Sequence, residues 1–209
     1  MKVIVLDTET TNSIEEPIAY DMGWAVIDTD TWEVVAMRSF VVAEIFLDKA
    51  LMKEAYFADK IPAYWDEIKG EKRTLARLST IRWALLNDCK EYGVKKIFAH
   101  NSPFDYRSCT LTQRFVTCSK YRWFFPFGVK VCDTLALSRE VFGNCADYCK
   151  FCEDGGYICQ NGQKRFTAEI LYRFLANDPD FVEAHTGLED VLIEKEILRA
   201  CVERGAAAI

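Results

Sequence analysis

The sequence predicts an α/β fold: a mixed sheet flanked by helices. Three observations carry this. The first 42 residues read as three consecutive strands in a meander. Beyond about residue 50, helix-period segments alternate with short apolar runs, which places helices against a sheet. Half of the 209 residues are apolar and 28% are charged, enough for a large core under a soluble surface.

Val3, Ile4, Val5 and Leu6 form a continuous apolar run, the pattern of a strand buried on both faces. Ile18 to Asp28 reads as a second strand, Asp28-Thr29-Asp30-Thr31 as a turn, and Glu33 to Val42 as the returning third strand. Ala50 to Ala58 and Leu75 to Tyr92 are expected to be helical. In the second, Leu75, Leu78, Ile81, Leu85 and Cys89 recur at helical spacing, and Gly93 ends it. Lys95 to Ala99 begins a fourth strand. Ser102-Pro103 opens a helix to about Ser119, with Asp105 in its first turn. Lys130 to Leu137 is a fifth strand turning into a helix. Cys145 to Lys164 reads as an irregular Cys- and Gly-rich excursion. Helices follow at Phe166 to Leu175 and Leu188 to Arg204. The expected organisation is one domain over residues 1–209, with the excursion at about 145–164.

No stretch approaches the roughly 18 apolar residues of a membrane span. The N-terminus enters a strand directly, without a signal-peptide pattern, so a cytoplasmic protein is expected, or a host-cytoplasmic one if phage-encoded. Nine cysteines, an odd number, then read mostly as free, often buried, thiols. A net charge of −6 argues against a simple basic DNA-coating protein. Yet Tyr106 to Cys132 contains no acid and five bases, Arg107, Arg114, Lys120, Arg122 and Lys130. Tyr106, Phe115, Tyr121, Trp123, Phe124, Phe125 and Phe127 are interleaved with them. Charges for phosphates beside rings for bases suit a single strand, although at least half of these rings are expected in the core. Arg107, Lys120, Arg122 or Lys130 would guide the strand.

The chemistry collects at element ends. Asp7 and Glu9, two apart in an extended chain, project together from the first strand. Paired carboxylates raise each other's pKa, and a cation between them relieves the repulsion; hard oxygen ligands suit magnesium or manganese. The alternative is a solvated acidic turn. On the last helix Ile193, Ile197, Ala200 and Cys201 form an inward stripe, and one turn back lies Asp190. A buried carboxylate is costly unless paired, hydrogen-bonded or bound to metal. His185 precedes it in the loop Ala184-His185-Thr186-Gly187. Four carboxylates can hold two divalent ions for phosphodiester cleavage, and imidazole titrates in the right range for a base. His100, at a strand end, reads better as a structural hydrogen-bonding residue.

Asp7-Thr8-Glu9-Thr10-Thr11, His100-Asn101-Ser102-Pro103-Phe104-Asp105 and His185-Thr186-Gly187-Leu188-Glu189-Asp190 resemble, in order and spacing, the three motifs of the DnaQ-like, or DEDDh, 3′–5′ exonuclease family. That family includes the proofreading subunit of bacterial replicative polymerases. The resemblance spans residues 7 to 190. It implies an RNase H-like fold, a five-stranded mixed sheet with helices on both faces. It implies Asp7, Glu9, Asp105 and Asp190 as ligands of two Mg²⁺ or Mn²⁺ ions, with Asp7 bridging and His185 as general base. Thr10, Thr11, Asn101, Phe104 and Arg107 are the implied substrate contacts. Asn12 stands where the family usually has glycine, and asparagine tolerates the left-handed turn needed there. The implied activity is release of nucleoside 5′-monophosphates from the 3′ end of single-stranded DNA, with any polymerase or repair partner on a separate chain. Alternatives are an exoribonuclease or oligoribonuclease of the same family and a non-catalytic nucleic-acid-binding module. Cys145, Cys149, Cys152 and Cys159, spaced C-x3-C-x2-C-x6-C, raise a further possibility, a structural zinc site in an interaction protein; burial of the thiols is the favoured alternative.

Overall fold

The computed structural model describes residues 1–117 and 123–207. Strands β1 (Lys2–Thr11), β2 (Ile18–Asp28) and β3 (Val34–Val42) form the antiparallel meander. Short helices α1 (Ala43–Phe46) and α2 (Lys49–Met52), a 3₁₀ turn (Ala58–Lys60) and α3 (Ile61–Lys69) lead to β4 (Thr74–Ala76) and α4 (Leu78–Glu91). Then come β5 (Lys96–Ala99), α5 (Ser102–Val116), β6 (Lys130–Asp133), α6 (Thr134–Phe142), α7 (Ala146–Asp154), α8 (Ala168–Ala176) and α9 (Gly187–Glu203). The sheet order is β4-β3-β2-β1-β5-β6, with β4, β5 and β6 each parallel to its neighbour.

The mixed sheet with helices on both faces matches the expectation, except that it has six strands rather than five. The extra strand is Thr74–Ala76. Leu75 pairs with Val41 at the sheet edge instead of opening the following helix, which starts at Leu78. Ala50 to Ala58 is one helical turn and a bend rather than a helix, and the helix from Ser102 ends at Val116. The fifth expected strand stops at Asp133, where helix α6 begins.

β1 runs through the middle of the sheet, and its alternation sorts its side chains. Ile4 and Leu6 face a core with Leu78, Ile81 and Leu85 of α4. Val3 and Val5 face the opposite layer, with Val191 and Leu198 of α9. A further core joins α6 to α9 and includes Phe142, Tyr148, Cys152, Leu171 and Ile197. The Cys-rich excursion is therefore not irregular throughout. Tyr148, Phe151 and Cys152 recur at helical spacing, and Ala146–Asp154 packs as a helix on this core. Asn12 takes the left-handed angle, φ 70°, that the turn after β1 requires. Among the described residues no helix is long and apolar enough to cross a membrane.

Candidate active site

Asp7 and Glu9 continue the face of β1 that carries Val3 and Val5, so both carboxylates point toward the start of α9. The approach of α9 is set by two glycines. Gly23, the cross-strand partner of Asp7, lies so close to Gly187 that a methyl on it would come within 2.3 Å of the Gly187 carbonyl carbon. Asp21, fully buried and paired across the strands with Glu9, accepts the Gly187 N–H at 3.0 Å. The same Asp21 oxygen accepts the Tyr64 hydroxyl at 2.7 Å and forms an ion pair with the Arg73 guanidinium at 2.5 Å. α9 thus begins tied to β2, and Asp190 follows one turn in, 4% exposed. Its Oδ1 has no hydrogen-bond partner.

Asp105 comes from the other face. Pro103 stands in the first turn of α5, and Asp133 Oδ1 caps that helix by accepting the N–H groups of Asn101 and Ser102. Asp105 is 2% exposed and accepts the Thr8 hydroxyl at 2.9 Å. His185 sits at left-handed φ 52° in the loop before α9. Its ring stacks on Phe57, with centroids 4.3 Å apart and planes at 12°. Lys60 donates to the carbonyl of Ala184 and spans the Phe57 ring. Ligand atoms of Glu9, His185 and Asp190 lie within 4.8 Å of one another.

The cluster is short of positive charge. Burial, then Glu194, Asp105, Glu9 and Asp190, hold the Asp7 carboxyl well above its ordinary range. Burial and the neighbouring Asp190 and Asp21 push Glu9 to about 9. Burial and Glu183 push Asp190 to about 8, and burial pushes Asp105 to about 7. His185 is shifted below its ordinary value by burial and then by Lys60, both of which favour the neutral ring. Crowded carboxylates, one with an unpaired buried oxygen, fit a hard divalent cation by the chemistry of the donor set.

The site also holds residues that sequence reasoning missed. Glu194 is buried, raised by burial and by Asp105, and accepts the His100 N–H at 3.1 Å. It lies four residues after Asp190, on the same inward stripe that singled out Asp190, so its signal was present. Lys60, Phe57 and Glu183 come from loops and a 3₁₀ turn that carried no motif.

The expected substrate contacts are less gathered. Thr10 is half-buried at the end of β1, whereas the Thr11 hydroxyl is buried and bonded to the carbonyl of Leu51. Asn101 is exposed at the α5 N-cap, and Phe104 is half-buried one helical turn on. Arg107 donates to the Ile14 carbonyl at 2.9 Å and lies over the Phe104 ring. Lys130 stands at the end of β6 remote from Asp133. Lys120 and Arg122 lie outside the described residues. His100 hydrogen-bonds through both ring nitrogens, to Thr134 and to the Phe166 carbonyl. Among the described residues the cysteines are free thiols. No three of Cys145, Cys149, Cys152 and Cys159 come within 4.8 Å of one another, because Cys152 turns into the core of α6 to α9 while Cys149 points to the Gly143 carbonyl.

No family model matches the sequence, and no curated protein matches it. Solved structures do match by fold. The nuclease domain of 3'hExo, a DEDDh family member bound to rAMP, superposes with a TM-score of 0.62 at 12% identity, over 98% of this chain and 92% of that one. A 3'-exonuclease that recognises the histone mRNA stem-loop gives 0.65 at 13%, over 98% and 82%. E. coli exonuclease I with a dA16 oligonucleotide gives 0.59 at 14%, over 98% of this chain and 41% of that one. The chain has the RNase H-like fold of DEDDh 3'-exonucleases.

Proposed function

We propose that the protein is a divalent-metal-dependent 3′–5′ exonuclease of DnaQ-like type that releases nucleoside 5′-monophosphates from single-stranded DNA. The observation that supports it most is the meeting of Asp7, Glu9, Asp105 and Asp190 at one end of the sheet, with His185 beside them. Asp7, Glu9, Asp105 and Asp190 would hold two Mg²⁺ or Mn²⁺ ions, which supply Lewis acidity at the scissile phosphate. His185 takes the proton from the attacking water, and Phe57 holds its ring plane by stacking. Lys60, through the Ala184 carbonyl, fixes the loop that carries His185. Thr10, Phe104 and Arg107 flank the terminal nucleotide; Thr11 contributes backbone, since its hydroxyl is committed to Leu51. A cytoplasmic setting suits the free thiols.

RNA is the second reading, favoured because two of the fold neighbours were solved with rAMP or recognise an mRNA stem-loop. A time course on 5′-labelled single-stranded DNA and matched RNA, with Mg²⁺, Mn²⁺ or EDTA and Asp7→Ala as control, tests both. The expected result is a metal-dependent ladder shortening from the 3′ end and absent in the variant. Intact strands in every lane, with folded protein, overturn the nuclease reading in favour of a binding module.

A further inference from the structure

A groove of about 1460 Å³ opens on the α4 side of the molecule. Its walls are α4, the first turns of α5, the 123–129 loop and the edge of β6. This exceeds the roughly 300–1,000 Å³ of small-molecule sites, so a single nucleotide does not fill it. Trp83 and Trp123 line it and are 65% and 63% exposed, and Phe127 is fully exposed beside them. Rings of this size left in solvent on one groove are costly unless something covers them.

The charges say what covers them. Arg82, Lys90 and Lys95 line the groove, and among the described residues none that lines it is Asp or Glu, on a chain of net charge −6. Arg82 also donates to the carbonyls of Trp123 and Phe124, which fixes the ring-bearing loop against α4. Tyr106 stacks on Phe125, centroids 5.3 Å apart, and closes the groove floor at α5. Ser102, Pro103 and Tyr106 belong to the same helical turns as Asp105, so the groove runs along the start of the helix that carries one of the four carboxylates.

We propose that this groove binds the single-stranded nucleic acid upstream of its 3′ end. Bases stack on Trp83, Trp123 and Phe127, and Lys90 and Lys95 meet the phosphates. From Arg82 to Lys90 the helix rises about 12 Å. That length holds about three stacked bases at roughly 3.4 Å each. The assignment rests on the nuclease reading for its substrate but not for its test. It draws on residues of α4 that no catalytic motif includes.

The test is fluorescence anisotropy of a labelled twelve-nucleotide dT or rU strand with the full chain in EDTA, alongside hydrolysis of a dinucleotide and of the same strand in Mg²⁺. The variants are Trp83→Ala with Trp123→Ala, and Lys90→Glu with Lys95→Glu. Removing the two rings should weaken binding of the long strand at least about tenfold. Reversing the two charges should weaken it and flatten its salt dependence. Dinucleotide turnover should stay within about twofold of wild type in both. Variants that bind the long strand as tightly as wild type overturn the groove assignment, whatever the hydrolysis assay shows. Tight, ring-dependent binding without hydrolysis overturns the nuclease reading and supports the groove. A second copy on this face is the remaining outcome. A dimer in sedimentation that Trp83→Glu dissolves, with strand affinity unchanged, overturns the proposal.

Discussion

Replacing Gly23 by alanine should damage the chemistry more than the fold. The added methyl meets the Gly187 carbonyl carbon at 2.3 Å, the Leu188 nitrogen at 2.4 Å and the Gly187 oxygen at 2.6 Å. Ordinary contact begins near 3.4 Å, so the site is short by about 1.1 Å. All three atoms are backbone, so no side chain can swing aside. β2 is hydrogen-bonded on both edges, to β1 and β3, and does not yield. The first turn of α9 must move instead, and it carries Asp190 and follows His185. Overpacking of this kind costs about 1–3 kcal/mol of stability. A displacement near 1 Å in a catalytic constellation costs about a hundredfold in rate. Gly23→Ala is therefore expected to lose about two orders of magnitude in kcat/KM on a single-stranded substrate while still unfolding cooperatively in urea. Gly187→Ala meets Gly23 nitrogen at 2.8 Å and the other atoms at 3.3 Å or more, so its loss should be smaller. Activity of Gly23→Ala within threefold of wild type would show that the glycine contact does not position Asp190.

Three further outcomes follow from the same site. Asp7, Glu9, Asp105 and Asp190 have folded-state pKa values above those of the unfolded chain. The folded protein thus holds more protons, and the metal-free protein should lose stability as pH climbs from about 5 to about 9. Mg²⁺ or Mn²⁺ should restore most of it; equal melting temperatures in EDTA at both ends of that range would refute the charge crowding. Lys60→Met removes a charge that depresses His185, so the His185 ring resonance in an NMR titration should move to a higher midpoint; with only two histidines the signal is assignable, and no upward move refutes the coupling. Arg73→Met leaves buried Asp21 without its ion pair and should cost about 3–5 kcal/mol in urea unfolding, a loss under 1 kcal/mol contradicting the tie between β2 and α9.

What could be read from the sequence was what periodicity and motif express. The run Val3 to Leu6 with Asp7 and Glu9 two apart defined β1 and its carboxylate face, and the stripe through Ile193 and Ile197 pointed to Asp190. The same stripe contains Glu194, which lies four residues beyond the last motif. Leu75 and Ala76 read as helical because Leu75 sits at helical spacing from Leu78; the three residues Thr74–Ala76 are too few for alternation to show, and only pairing with β3 makes them a strand. Cys145 to Lys164 reads as irregular because its cysteines and glycines are dense, whereas Tyr148 and Cys152 face a core built from α6, α8 and α9. Asp21 and Gly23 had no local signature. Their importance arises from Gly187, 166 residues away from Asp21.

That separation has a consequence for the order of events during synthesis. The first two carboxylates lie in β1 and the fourth in α9, which is synthesised well over a hundred residues later. While a ribosome is still extending the chain, β1 to β5 can assemble around α4, but the cluster lacks Asp190, the loop of His185 and the wall that α9 builds over Asp7. On the proposed function the protein cuts nucleic acid, and it is made in contact with a messenger RNA. With the carboxylates split between β1 and α9, the candidate site is incomplete until α9 docks on β1 and β2.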